Sequence, residues 1–301
     1  MKDLHLHLSG STPPEILWEI IRESGFKTGA KKYDDFVKTI SMDRDDIKDL
    51  DSYLRVLHAI EEAQSSPLAV KECMYEAYKT SYLVGCNYLE VRWNPIKRSQ
   101  KGRIDLDSLI VAARAGYERA KTIYGIEGGM ILCMGRDCSE TENEAVFKKA
   151  LQYNSRGIIG LDLAGSERHP MSNELIKYYR AANTEKMITT CHVGETEHDG
   201  MEDEMAFVLE KLAPKRIGHG IQMVKFPKLL KKASSMNVHF EICISSNIAT
   251  RAANSLDLKH TFRTLEENGI TFSINTDATF PLKTNIKREN ELFKEITGGT
   301  T

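Results

Sequence analysis

Two histidines one residue apart, in Leu4-His5-Leu6-His7-Leu8, are the residues of this chain best spaced for chemistry. In a strand alternate side chains share a face, so both imidazoles project from one side while the leucines fill the other. That is the geometry in which a metal ion takes its first two ligands. An alternating His/Leu run is also an ordinary half-buried strand, so the reading turns on what completes the site.

Four later apolar runs end in polar, titratable groups. Met187–Val193 ends in His192 and continues to Glu195; Arg216-Ile217-Gly218 ends in His219; Ile270–Thr276 ends in Asp277; Gly160-Leu161-Asp162-Leu163 leads through Gly165 and Ser166 to Glu167. Each has a bland explanation alone: His192 as a satisfied core histidine, His219 as a strand cap between glycines, Asp277 as the N-cap of the next turn. The bland explanations weaken when one architecture brings all these ends to one mouth. His58, His169, His198, His239 and His260 lack such placement and read as ordinary surface or core histidines.

The elements needed to position these groups follow from periodicity. Strands are expected near 2–8, 87–93, 128–134, 157–163, 187–193, 215–219, 237–243 and 270–276. Helical spacing runs through 104–123, 142–153, 173–184, 200–212, 226–235, 259–268 and 285–296. Asn173 and Asp199 are read as N-caps, and Gly157, Gly269 and the 234–237 stretch as helix-to-strand turns. Eight β/α repeats without a Gly-rich dinucleotide turn predict a single (β/α)8 TIM-type barrel over residues 1–301, with a doubly wound open sheet as the other architecture considered. A long helical insertion, roughly 25–83, is expected to wall one mouth, and the helical layer after the eighth strand is expected to be thin.

In such barrels chemistry sits at the C-terminal ends of the strands. His5, His7, His192 and Asp277 make a three-imidazole, one-carboxylate set that suits Zn2+ and leaves room for a water, whose pKa the ion lowers to about neutrality. His219 stands ready to accept or steer the water's proton, with Asp277 beside it. Glu195, three residues beyond His192, reaches a substrate rather than the ion and, protonated, is a proton donor to a ring nitrogen. The chemistry is hydrolytic.

Composition limits the alternatives. A chain of 301 residues with 28% charged and 41% hydrophobic residues and a formal net charge of −2 has no excess of cations for nucleic acid or an anionic membrane. The six cysteines are scattered with no Cys-x-x-Cys, against a disulfide framework or thiolate zinc site. No apolar run reaches bilayer length and no leader pattern opens the sequence, so a cytoplasmic protein is expected.

At these residues the chain resembles the adenosine deaminase family. The matching blocks are His5-Leu6-His7-Leu8 with Gly10, Leu89–Pro95, Gly160–Gly165, His192-Val193-Gly194-Glu195, Arg216–Gly220, Glu241-Ile242-Cys243 with Ser246-Asn247, and Asn275-Thr276-Asp277, in family order over nearly the whole chain. The resemblance implies one zinc per chain and a purine nucleoside substrate whose 6-amino group is replaced by oxygen with release of ammonia. Glu195 would protonate N1, His219 would assist the water, the Gly165 N–H would bond N3, and His7 and Ser9 would meet the sugar. Ser9 stands where the family commonly has an aspartate that meets the sugar hydroxyl, which favours a 5′-modified adenine nucleoside as well as adenosine. Ala278 stands where the family often has a second aspartate contacting N7, which keeps open a different cyclic amidine or amide substrate, or a non-catalytic nucleoside-binding relative.

Overall fold

A computed structural model describes residues 1–41 and 48–299. The eight expected strands all form: β1 Lys2–His7, β2 Tyr88–Trp93, β3 Glu127–Gly135, β4 Ile158–Ala164, β5 Ile188–Val193, β6 Arg216–His219, β7 His239–Ile242 and β8 Phe272–Ile274. They run parallel in the order β1 to β8. A bridge between Leu6 and Asp277, with His7 N–H donating to Asp277 O and Asp277 N–H to His5 O, brings the last strand back to the first. That return excludes the open doubly wound sheet. The chain is a (β/α)8 barrel.

The strands hold because both faces are buried, the condition of an all-parallel sheet. Leu6, Val91, Met130, Leu132, Leu161, Val193, Ile217 and Ile242 are all fully excluded from water. The closing seam also carries a polar clasp. Asp3 accepts from the Thr276 hydroxyl at 2.5 Å and from the backbone N–H groups of His5 and Thr276, and burial pushes its carboxyl up to about 7.

Helices α1 Pro14–Ser24, α2 Tyr33–Thr39, α3 Leu50–Ala63 and α4 Pro67–Leu83 fill the segment between β1 and β2. Around the barrel follow α5 Leu106–Tyr124, α6 Glu140–Gln152, α7 Leu175–Thr184, α8 Met201–Phe207, α9 Pro227–Ser235, α10 Ile244–Ala249, α11 Ser255–Glu267 and α12 Ile286–Thr297. The expected wall is α3, whose Leu50, Tyr53, Leu54 and Leu57 face the cavity at the mouth. Asp49 starts α3 with a capping box: its carboxylate accepts the Ser52 N–H and Ser52 Oγ accepts its own N–H, each at 2.9 Å, a device worth about 1 kcal/mol.

Two expected caps are corrected. The chain enters α7 at Glu174 and α8 at Gly200, neither with a side-chain cap. The Asn173 carbonyl takes the Ile176 N–H, and the residue leading into α8 has φ +84°, which suits Gly200 and leaves Asp199 one position before the cap. The short α10 after β7 carried no periodic signal, since at six residues it is under two turns long and its buried face includes the polar Ser246 and Asn247. No described helix is long and apolar enough to cross a membrane, and all six cysteines are free.

Candidate active site

The C-terminal ends of β1, β5, β6 and β8 converge on a cavity lined in part by His7, Ser9, Gly165, His192, Glu195, His219 and Asp277. His5 lies just beneath it, fully buried. Every residue expected at the site is therefore at this mouth.

The innermost cluster is built from ring nitrogens. His5 Nδ1 lies 3.0 Å from Glu241 Oε2, and His192 Nδ1 lies 3.1 Å from Asp162 Oδ2. An ionised carboxylate only accepts, so each ring carries a proton on Nδ1 and turns Nε2 toward the cluster. His5 Nε2 is buried with no hydrogen-bond partner. His192 Nε2 faces His7 Nε2 at 3.1 Å, and Asp277 Oδ1 approaches His7 Nε2 at 3.4 Å and His5 Nε2 at 3.7 Å. Burial holds the His5 and His7 imidazoles well below their ordinary pKa, so both are neutral.

Three ring nitrogens and a carboxylate oxygen thus crowd one point with at most the single His7 proton to share among them, and His5 Nε2 gets none, which is costly unless a cation joins them. The residues fit a divalent metal. His5, His7 and His192 lie within ligating reach of one another, and so do His5, His219 and Cys243. The second set is the poorer one: burial keeps the Cys243 thiol well above its ordinary pKa, and a thiol ligates only as thiolate.

A charge network beneath the cluster fixes it. Arg92, fully buried, lies 3.1 Å from Asp162 and 2.7 Å from Glu241, and donates to Leu4 O. Burial alone would raise Asp162, but His192 and Arg92 hold its carboxyl well below the usual range. Gly218 completes the packing: a Cβ there would lie 3.0 Å from His5 Cε1 and 3.2 Å from His192 Cγ.

Glu195 lies across the cavity, 3% exposed, with Oε1 3.7 Å from His219 Nε2. Burial, then the charges of Asp277 and Glu167, hold its carboxyl well above the usual range, so it keeps its proton. Its peptide is anchored by Glu167, which accepts the Glu195 N–H at 3.2 Å and the Thr196 N–H at 2.8 Å. Asn247 occupies His219 Nδ1 at 3.1 Å, leaving Nε2 toward the cavity. His219 and Asp277 both sit at left-handed φ, +60° and +59°, uncommon for residues with a Cβ.

Sequence reasoning named Arg92, Asp162, Glu167, Glu241 and Asn247 without giving them tasks, and it missed Tyr53, whose hydroxyl donates to Asp277 Oδ2 at 3.1 Å. No local pattern marks a tyrosine on an amphipathic helix as a partner for the last strand. His58, read as an ordinary histidine, lines the rim of the cavity, where its Nε2 meets Lys97 Nζ at 2.8 Å. Ala278, fully buried, packs against Gly10, where a Cβ would lie 2.1 Å away, and does not line the cavity.

A (β/α)8 barrel with buried histidines and a carboxylate at the strand ends is the architecture of a metal-dependent hydrolase. The family model for adenosine deaminase matches residues 1–301, and the chain belongs to that family. It is an enzyme of the metal-dependent deaminase class. An adenosine deaminase of Vibrio vulnificus is 28% identical over 275 residues, covering 91% of this chain and 81% of the relative. One from Clostridium botulinum is 26% identical over 296 residues, covering 98% and 87%. Among solved structures, the Arabidopsis N6-mAMP deaminase superposes with a TM-score of 0.86 at 24% identity, covering 100% of this chain and 88% of that one. A zinc-bound amidohydrolase from Burkholderia ambifaria gives a TM-score of 0.85 at 20% identity, covering 99% and 80%. These two likenesses bear on the fold.

Proposed function

We propose that this chain catalyses the hydrolytic deamination of adenosine or a 5′-modified adenine nucleoside, giving the inosine-type product and ammonia, with one zinc ion held by His5, His7, His192 and Asp277. The observation that carries the reading is the convergence of three buried or half-buried imidazoles and a carboxylate, one ring nitrogen without a partner, beside a glutamic acid whose pKa burial raises. A divalent ion bound there supplies Lewis acidity that brings the pKa of a water to about neutrality.

The chain's own groups do the rest. Glu195 donates its proton to N1 of the ring, which makes C6 electrophilic. His219, whose Nδ1 accepts from the Asn247 amide, carries its proton on Nε2 and steers the attacking water from the side of Glu195, while the Asp277 carboxylate accepts a proton of that water. The C6–O bond forms, the proton taken by Asp277 passes to the 6-amino group, the C6–N bond breaks and ammonia leaves, and the remaining hydroxyl proton returns to Glu195 as C6 becomes a carbonyl. Gly165, at φ +115° beside the cavity, presents its N–H to N3. His7 and Ser9 face the sugar. Ser9, 4% exposed, offers a hydroxyl rather than a charge, so a 5′ substituent that accepts hydrogen bonds is tolerated. An Arabidopsis neighbour in the same fold was solved with IMP bound, which adds a 5′-monophosphate to the substrates worth testing.

Zinc-loaded protein is to be assayed for ammonia release and the absorbance change of adenine to hypoxanthine. The panel contains adenosine, deoxyadenosine, 5′-modified adenosines, AMP and N6-methyl-AMP. Turnover of at least one member, lost on chelation and restored by zinc, is expected; inert zinc-loaded protein on all of them would refute the proposal. Because Ala278 leaves N7 without a partner, non-purine cyclic amidines belong in the same screen, and preference for one of them would move the substrate class.

A further inference from the structure

Asp277 needs its carboxylate turned so that one oxygen faces the histidines, and its own rotamer preferences do not fix that rotation, because the terminal torsion of aspartate is broad. Oδ1 faces His7 and His5 at 3.4 and 3.7 Å, while Oδ2 accepts the Tyr53 hydroxyl at 3.1 Å. Against an ionised carboxylate a phenol is the donor. Tyr53 is 2% exposed, its ring is among the largest fully enclosed side chains, and it comes from α3 rather than from a strand.

Helix α3 has a second task. Leu50, Leu54 and Leu57 line the cavity, while Leu50, Tyr53 and Leu57 also pack on Ala278, the residue after Asp277. The N-terminal turn of α3 also meets Arg168, an exposed side chain whose Nε lies 3.0 Å from Asp51, a pair worth little by itself. One helix therefore forms the substrate wall, packs against the Asp277–Ala278 peptide and grips the outer oxygen of the carboxylate.

We propose that Tyr53 is a positioning residue: its hydroxyl fixes the rotation of the Asp277 carboxylate and so ties the seating of the α3 wall to the competence of the cation site. This rests on the metal reading above and adds to it a residue outside the barrel strands. Removing a partner that orients a metal ligand weakens metal affinity by about 10–100-fold. A tyrosine that merely filled space would leave affinity untouched when only its hydroxyl is removed.

The test is Tyr53→Phe in the full chain, with zinc affinity measured by competition against a chromogenic chelator. The same preparation is followed by steady-state kinetics on the best substrate of the panel and by thermal unfolding of the zinc-free protein. The expected result is a zinc dissociation constant raised by about 10–100-fold, a kcat that falls with KM little changed, and an unfolding midpoint of the zinc-free variant lowered by only a few degrees, the cost of one buried hydrogen bond. Unchanged zinc affinity overturns the inference. So does a zinc-free variant that unfolds at markedly lower temperature or does not fold, because the hydroxyl then supports the fold rather than the ligand. Wild-type protein that takes up no zinc, or whose uptake is indifferent to His7→Ala, overturns the metal reading instead, so the two failures are told apart.

Discussion

Arg92→Met is the perturbation whose cost follows most directly from the geometry. The guanidinium is fully buried and serves two carboxylates, Asp162 at 3.1 Å and Glu241 at 2.7 Å, each fully buried and each holding a histidine of the cluster. Methionine fills much of the volume but leaves both anions without their cation. Breaking a buried pair by removing one partner costs about 3–5 kcal/mol. The carboxylates can limit that loss by taking up protons, at a cost near pH 7 of about 4 kcal/mol each, since each pKa unit is worth about 1.4 kcal/mol. The expected loss is therefore roughly 3–8 kcal/mol, comparable with a whole domain's stability of about 5–15 kcal/mol. Urea unfolding of zinc-free Arg92→Met against wild type at pH 7 measures it. Arg92→Lys should recover only part, because a point charge cannot bridge both anions as the planar fork does. A loss below about 1 kcal/mol, within the range of a surface ion pair, would refute the view that this arginine balances the floor of the site.

Glu195→Gln keeps the volume but cannot donate a proton, so zinc uptake should persist while kcat falls by about 100–10,000-fold, read by ammonia release. Glu167→Ala removes the acceptor for two buried N–H groups; kcat should fall and stability drop by about 1–3 kcal/mol in urea unfolding. Gly218→Ala drives a Cβ to 3.0 Å from His5 and 3.2 Å from His192, two rings that Glu241 and Asp162 prevent from yielding. Zinc affinity should fall in chelator competition while the barrel's circular dichroism is retained. Asp3 sits at about 7 when folded against 3.8 as the ordinary value. A carboxyl raised on folding contributes stability below about pH 4 that is lost as pH rises toward 7, and Asp3→Asn should flatten that slope in unfolding measurements of zinc-free protein.

The strands were legible because a fully buried parallel strand is a short apolar run between turn residues, and that signal is local. The metal-type histidines were legible for a related reason: strand period places His5 and His7 on one face, and the barrel rule places His192, His219 and Asp277 at the same level. What stayed hidden depends on distance across the fold. Arg92 reads as one charge in an apolar strand until Asp162 and Glu241 are brought to either side of it. Tyr53 reads as one aromatic of an amphipathic helix until α3 lies over the mouth. The misassigned caps of α7 and α8 show the opposite error, in which a good capping residue stands one position before the turn the backbone takes.

Residue Asp277 does two things at once: its N–H and carbonyl join the last strand to His5 and His7, while its carboxylate faces the imidazoles of the same two residues. During vectorial synthesis the two imidazoles of β1 leave the ribosome long before Asp277 does. A partly made chain thus presents scattered donors rather than a finished trap, and premature capture of an ion on the ribosome has no complete binding geometry to exploit. With the donor set proposed above, acquisition of the metal would report that the ring of strands has shut.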